Sequence, residues 1–422
     1  MRYLLPIAIG RAVQWLARVR GGKGSGIPGV VVNRLAPGLL PRVLRSFPQG
    51  LVVVSGTSGK STTTKMVATM IAAHGLKVFT NGSTANLPQG ITSAVLDQGD
   101  AFGRIDADIA VLELDEAYGA KMAPDYLAQN VVLTNVMLDD LERFRSAEHV
   151  ASLLERIADR ATESLVVNAD DPYLAGVADR AAQRGITVGR FGVSQAVLER
   201  QPHGLGLVKT APKRMSALDG TRVEFVDGLD ITLSIAGTRA RTVIPSRGVH
   251  YAADAAAAIE SARLVLGSRW DLQTALDALA AIEPVFGRGE TVEIKGQIVD
   301  FVLVQNTASF QLNTDGLGSD RGPVFLAVGE EEHDPSWLWT VHPGLLGRVD
   351  IASGPKAQDI ATRLVYAGVE VGEVDRDLIP AFERFLTLPT ATGKRTAVFT
   401  ASQMRALRRE YGFVRAELEG EH

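Results

Sequence analysis

The run Leu51-Val52-Val53-Val54 leads into Ser55-Gly56-Thr57-Ser58-Gly59-Lys60-Ser61-Thr62-Thr63-Thr64, and no other feature constrains the chain so tightly. Four consecutive apolar residues read as a strand buried on both faces, and the threonine-rich stretch reads as the start of a helix. Between them lies a glycine-containing turn with a single lysine. Backbone N–H groups of such a turn and of a helix N-terminus point at anionic oxygens. The lysine neutralises β- and γ-phosphates, and the hydroxyl after it ligates Mg²⁺. The common G-x-x-x-x-G-K-[ST] form would demand glycine at 54, where the chain has Val54, so the shorter G-T-S-G-K-S-T variant is at issue. Gly56, Thr57, Ser58, Gly59, Lys60, Ser61 and Thr62 are therefore the candidate nucleotide-binding residues. Phosphoryl transfer also needs a metal-binding carboxylate at a neighbouring strand end. The apolar run 109–112 stops at Glu113-Leu114-Asp115-Glu116, which makes Glu113 the candidate partner of Ser61 in holding Mg²⁺.

Apolar runs at 77–79, 109–112, 131–133 and 164–167 alternate with amphipathic stretches at 62–74 and 147–161. That alternation predicts an α/β domain around a mostly parallel sheet. Between about 190 and 245 the texture changes to glycine-punctuated pieces such as 222–225 and 231–234, expected to form a small antiparallel appendage. Helices are predicted at 251–266 and 272–281, followed by a connector from Ile282 to Gly289. Strands at 298–304, 324–328, 349–352 and 396–400 with helices at 356–367 and 379–388 then predict a second, smaller α/β domain. The expected division is an N-terminal helical segment (1–47), a nucleotide-binding domain (48–283) and a C-terminal α/β domain (284–422).

A length of 422 residues suits this, since domains average about 150 residues. With 44 Lys or Arg against 48 Asp or Glu, no global charge draws the chain to nucleic acid. The absence of cysteine excludes a disulfide framework, a thiolate metal site and a thiol nucleophile. Near the N-terminus Leu4, Ile7, Ala8, Ala12, Trp15 and Leu16 recur at helical spacing among basic residues. Arginines interrupt this segment well before the roughly 20 apolar residues of a membrane span, and no small-residue cleavage site follows. The expectation is a cytoplasmic protein whose first helix packs on the body in preference to lying on an anionic membrane surface.

Six motifs stand in a fixed order: G-T-S-G-K-S-T, E-L-D-E (113–116), L-T-N-V-M-L-D-D-L-E-R-F (133–144), V-N-A-D-D-P (167–172), R-G-V-H-Y-A-A-D-A-A-A-A (247–258) and F-G-R-G-E (286–290). This order resembles the Mur ligases over roughly residues 48 to 290. Within that family, T-A-N-L-P-Q-G-I-T-S-A (84–94) and Asp334-Pro335-Ser336-Trp337-Leu338-Trp339 are similar to the synthetase subunit of lipid II isoglutaminyl synthase. Only about 48 residues precede the loop, too few for the family's uridine-nucleotide domain, and a lipid-linked acceptor at the inner membrane face fits that.

The resemblance implies an ATP-dependent carbon–nitrogen ligase of Mur-ligase fold. It would phosphorylate the α-carboxylate of D-glutamate in the lipid II stem peptide, and ammonia would attack the acyl phosphate to leave D-isoglutamine. Lys60 and the loop would bind the ATP phosphates, Ser61 and Glu113 would hold Mg²⁺, and Arg288 would reach the nucleotide from the connector. Tyr251 and Asp254 occupy the positions of two adenine-side asparagines. The family's D-H-L-D element is Asp139-Asp140-Leu141-Glu142 here, so Asp140 is either a further oxygen ligand for Mg²⁺ or a helix-start residue. A chain without cysteine needs a separate source of ammonia, which the resemblance identifies as a GatD-like glutaminase. Asp334 would complete that partner's catalytic triad across the subunit boundary. Members often carry a four-cysteine zinc ribbon; here 190–245 must fold without it, and no zinc is expected. Two other readings stay open: a Mur-type ligase adding an amino acid to a folate-type or γ-polyglutamate-type acceptor, and a non-catalytic docking subunit.

Overall fold

The computed structural model describes residues 2–19, 26–82, 85–137, 146–211, 215–216, 219–284, 287–304, 306–318, 321–330 and 338–412. Strands β1 (Leu51–Ser55), β2 (Val78–Thr80), β3 (Ile109–Glu113), β4 (Ala128–Leu133), β5 (Ala161–Asn168), β6 (Thr187–Val193), β7 (Thr221–Asp227), β8 (Asp230–Ile235) and β9 (Thr238–Val243) share one sheet. Its order is β2-β3-β1-β4-β5-β6-β7-β8-β9. β1 to β7 run parallel, and β8 and β9 add antiparallel. The segment expected as an appendage is thus continuous with the main sheet.

Helices α1 (Leu4–Val19), α2 (Ile27–Leu35), α3 (Leu39–Leu44), α4 (Lys60–Ala73), α5 (Pro88–Gln98), α6 (Glu116–Met122), α7 (Ala147–Ala158), α8 (Pro172–Gln183), α9 (Gln195–Leu198), α10 (Val249–Leu266) and α11 (Leu272–Ala280) belong with it. Successive strand residues point to opposite faces, which explains why the central strands are apolar throughout. Leu51, Val53, Ala110, Leu112, Val131 and Leu133 share one core with Ile7, Val32, Leu39, Val95, Leu154 and Leu174. Val52, Val54, Val111 and Val132 share the other with Met66 and Met70 of α4, Ile259 of α10 and Leu276 of α11.

The second sheet comprises β10 (Arg288–Ile294), β11 (Gln297–Leu303), β12 (Val324–Ala327), β13 (Arg348–Ser353), β14 (Glu370–Asp375) and β15 (Lys394–Phe399), in the order β10-β11-β15-β12-β13-β14. It is parallel except for the β10–β11 hairpin. Helices α12 (Thr307–Asp315), α13 (Ala357–Tyr366), α14 (Leu378–Thr387) and α15 (Ala401–Glu410) cover it. Val324 and Leu326 pack toward Ile360 and Leu364, while Phe325 and Ala327 pack toward Phe382 and Phe385.

Polar contacts hold the connector and tie the halves together. Lys65 of α4 donates to the Glu283 carbonyl at 2.9 Å. His203 lies 2.9 Å from the Asp315 carboxylate and stacks on His342 with ring centres 5.0 Å apart.

Candidate active site

β1 delivers the chain to the carboxyl edge of the sheet, where the loop turns into α4. Gly56 and Gly59 adopt φ of +134° and +80°. A Cβ on Gly56 would stand 2.1 Å from Thr134 Oγ1, and one on Gly59 would stand 2.1 Å from Asp254 Oδ1. Only glycine meets both the torsion and the close approach.

Residues after β4 brace the loop. The Thr57 N–H donates to the Asn135 carbonyl (3.0 Å), and the Ser58 N–H donates to Asn135 Oδ1 (2.9 Å). Thr134 Oγ1 and Asn135 Nδ2 both donate to the Ser58 carbonyl, at 2.7 and 3.1 Å. α4 has no side-chain cap at its N-terminus. Its first N–H groups, at Lys60, Ser61 and Thr62, lack intrahelical acceptors and form the anion-binding end of the helix.

Lys60 folds back over the loop. Its Nζ donates to the carbonyls of Gly56 (2.6 Å) and Thr57 (2.9 Å) and to Glu116 Oε2 (3.2 Å). Glu116 opens α6 and its side chain is 3% exposed. Burial pushes its carboxyl above the ordinary value, and the Lys60 ammonium opposes that shift.

Ser61 Oγ donates to Glu113 Oε2 at 2.7 Å, and Asn86 Nδ2 donates to Glu113 Oε1 at 3.0 Å. Asn81 clamps the same residue's backbone, accepting from the Glu113 N–H and donating to its carbonyl at 2.9 and 3.0 Å. A hydroxyl and a carboxylate meeting at the helix N-terminus form a hard oxygen set, which fits Mg²⁺.

The structure therefore brings the loop residues, Ser61, Glu113 and Asp254 together. Asp254 reaches the phosphate-loop end of the site, at Gly59, and Tyr251 is 4% exposed with its ring packed against His250. Arg288 opens β10, and its side chain lies outside the described residues, as do Asp140 and Asp334. Sequence reasoning left Asn81, Asn86, Glu116, Thr134 and Asn135 without roles. The signal for the last two was their place directly after an apolar strand. V-N-A-D-D-P has a structural account: Asp170 accepts from the Val193 N–H (2.8 Å), and Asp171 holds the Val136 N–H at 2.6 Å while capping α8. Burial pushes the Asp171 carboxyl up to about 6.

Fold and site together define an α/β protein with a strand–loop–helix phosphate-loop motif and a second α/β lobe. Residues 54–261 match the Mur ligase middle domain, and the chain resembles the Mur ligases, a family of ATP-dependent ligases. It is 26% identical over 382 residues to the lipid II isoglutaminyl synthase (glutamine-hydrolyzing) subunit MurT of Streptococcus pneumoniae, covering 83% of each chain. The MurT subunit of Staphylococcus aureus is 28% identical over 176 residues, 42% of this chain and 39% of that one, so the match spans well under half of that relative. MurF ligase from Thermotoga maritima in complex with ADP superposes with a TM-score of 0.61 at 18% identity, over 94% of this chain and 85% of that one. Among the described residues no helix is long and apolar enough to cross a membrane.

Proposed function

We propose that the chain is the synthetase subunit of a lipid II-amidating complex, converting the α-carboxylate of the stem-peptide D-glutamate to D-isoglutamine with ammonia from a GatD-like glutaminase. The observation that carries this reading is the Ser61–Glu113 pair set 2.7 Å apart beside the lysine-covered loop. A non-catalytic docking subunit has no need of that arrangement. The MurT names of the similar proteins supply the acceptor class. Bound Mg·ATP supplies the phosphoryl group that activates the carboxylate. Lys60 and the α4 N–H groups hold and neutralise the phosphates, and Ser61 with Glu113 fixes the metal. Tyr251, Asp254 and Arg288 belong to the nucleotide pocket in this reading, and Asp140 is a further metal ligand.

The partner acts through the second lobe. Asp334 is proposed to orient a histidine of the glutaminase and stabilise its imidazolium while that histidine activates the partner's cysteine. Near that motif Trp339 is 52% exposed and Tyr366 77%, meeting edge to face at 5.6 Å, with the Arg363 guanidinium 5.8 Å from the indole centre. Exposed aromatic side chains of this kind, set beside a half-buried arginine, suit an interface anchor.

The test supplies purified chain with lipid II and Mg·ATP, driven either by ammonium or by glutamine plus the co-expressed glutaminase, with products read by mass spectrometry. Amidated lipid II from ammonium alone is expected. Asp334→Asn should lower the glutamine-driven rate strongly and leave the ammonium-driven rate unchanged. Addition of an amino acid with ammonium inert would identify an amino-acid ligase, and absence of any ATP turnover would leave only a docking role.

A further inference from the structure

The first helix presents an inverted face to solvent. Among the side chains described, its exposed residues are Leu5, Ala8, Ala12, Trp15, Leu16 and Val19, with no charged or polar one among them, while the buried side carries Ile7 and Gln14. At about 100° per residue the six exposed positions fall within one arc of about 100°. Leu5, Trp15 and Val19 are 70%, 64% and 65% exposed. Ile27, Val30 and Leu35 extend the apolar surface along α2, which packs beside α1, with Arg34 exposed among them. A monomeric surface rarely gathers so many large apolar side chains on one patch.

Charge is segregated to the same segment. The first 47 residues carry eight Lys or Arg and no Asp or Glu, leaving 36 Lys or Arg against 48 acids in the remainder. The first acid in the chain is Asp97, and the nearby Asp100 carboxylate is engaged by the Phe102 and Arg104 N–H groups. Arg11 fixes α1 to the body, donating to the Leu96 carbonyl at 3.0 Å and the Asp100 carbonyl at 3.1 Å. A rigid apolar stripe with a tryptophan, flanked by basic residues, complements the boundary between acyl chains and anionic headgroups.

We infer that the outer face of α1 and α2 is a membrane-docking surface, seated in the interface of an anionic bilayer without spanning it. The docked helices adjoin the candidate site. Asn33 of α2 accepts from Thr92 Oγ1 of α5 at 2.7 Å, and the loop entering α5 carries Asn86 to Glu113. A docked chain thus keeps its loop near a membrane-anchored acceptor. The inference stands on the helix surface and does not require the amide-forming reaction.

The full chain is tested by flotation with vesicles of phosphatidylcholine alone or mixed with phosphatidylglycerol, in low and high salt, alongside Trp15→Glu/Leu16→Glu. Both positions are exposed, so the variant keeps its fold, and its unchanged affinity for Mg·ADP verifies that. Binding to the anionic vesicles, weakened by salt and lowered more than about tenfold in the variant, is expected. A wild-type chain that stays unbound with both vesicles would overturn the inference. So would a dimer in solution that the double substitution turns into a monomer, because a second copy would then cover the face. Loss of amidation with vesicle binding intact would instead count against the enzymatic reading alone.

Discussion

His250→Phe isolates one buried group whose energetics can be worked from its surroundings. His250 lies on α10 one turn before Asp254. Part of the residue reaches the surface, yet both ring nitrogens are buried without a hydrogen-bond partner among the described residues. Its ring packs on Tyr251 with centres 4.1 Å apart. Burial pushes its pKa from 6.5 down to about 4. The unfolded chain therefore takes up this proton near pH 6.5 and the folded chain only near pH 4. Stability from a neutral His250 is complete above 6.5 and is lost as the pH falls toward 4, amounting to about 3 kcal/mol over the whole interval and about 2.5 kcal/mol by pH 4.5. Phenylalanine keeps the ring and removes both nitrogens. Urea unfolding of the two proteins at pH 7.5 and 4.5 gives a double difference in which other titrating groups cancel. The wild type should lose about 2.5 kcal/mol more than the variant, and the variant should be at least as stable at pH 7.5. Equal losses would refute the reasoning, because the imidazole would then have to be hydrated or paired in the folded chain.

Gly59→Ala adds a methyl group 2.1 Å from Asp254 Oδ1 at a φ that costs an L-residue about 1–2 kcal/mol, so Mg·ADP affinity measured calorimetrically should fall more than about tenfold with the circular dichroism unchanged. Lys60→Ala should abolish ATP turnover without unfolding the chain, and Glu113→Gln should remove the Mg²⁺ dependence of nucleotide binding; near-normal turnover in either at saturating Mg·ATP would take that residue out of the site. Glu290→Gln leaves the Arg408 guanidinium, whose side chain is 1% exposed, without its carboxylate, and should cost about 3 kcal/mol of stability in urea unfolding. Adding Arg408→Met should restore most of that loss, and a double variant as unstable as the single one would contradict it.

Much of the first sheet was legible because its strands are buried on both faces, which leaves unbroken apolar runs such as 51–54 and 109–112. β14 gave no such run: Glu370-Val371-Gly372-Glu373-Val374-Asp375 is an edge strand with alternate residues in solvent, so its pattern is polar. β10 reads as a connector because Arg288-Gly289-Glu290 looks like a turn, and its pairing with β11 supplies what the local sequence does not. The strand–loop–helix arrangement and the Ser61–Glu113 pairing followed from chemistry at known spacings. Asn86 and Asn135 did not, since an asparagine gains its role from which strand end it meets across the sheet. Helical spacing likewise identifies the apolar stripe of α1, which packs on the body, but not which of its residues face the core: Ile7 turns inward while Trp15 turns out.

The connector between the two lobes is pinned at both of its ends. Arg288 pairs with Val302 and Glu290 with Phe301, so the register shifts at Gly289, whose φ is +78°. Such a bulge breaks the two-residue alternation that would otherwise put positions 288 and 290 in equivalent places. Glu290 is thereby free to anchor the strand, accepting from the Gly287 N–H at 3.1 Å and pairing with Arg408 of α15. Lys65 carries the linkage back to α4: it donates to the Glu283 carbonyl, and burial lowers its pKa while the Glu283 and Glu290 carboxylates oppose that shift. The helix whose first turn carries Lys60 and Ser61 therefore holds the start of the connector with its second turn.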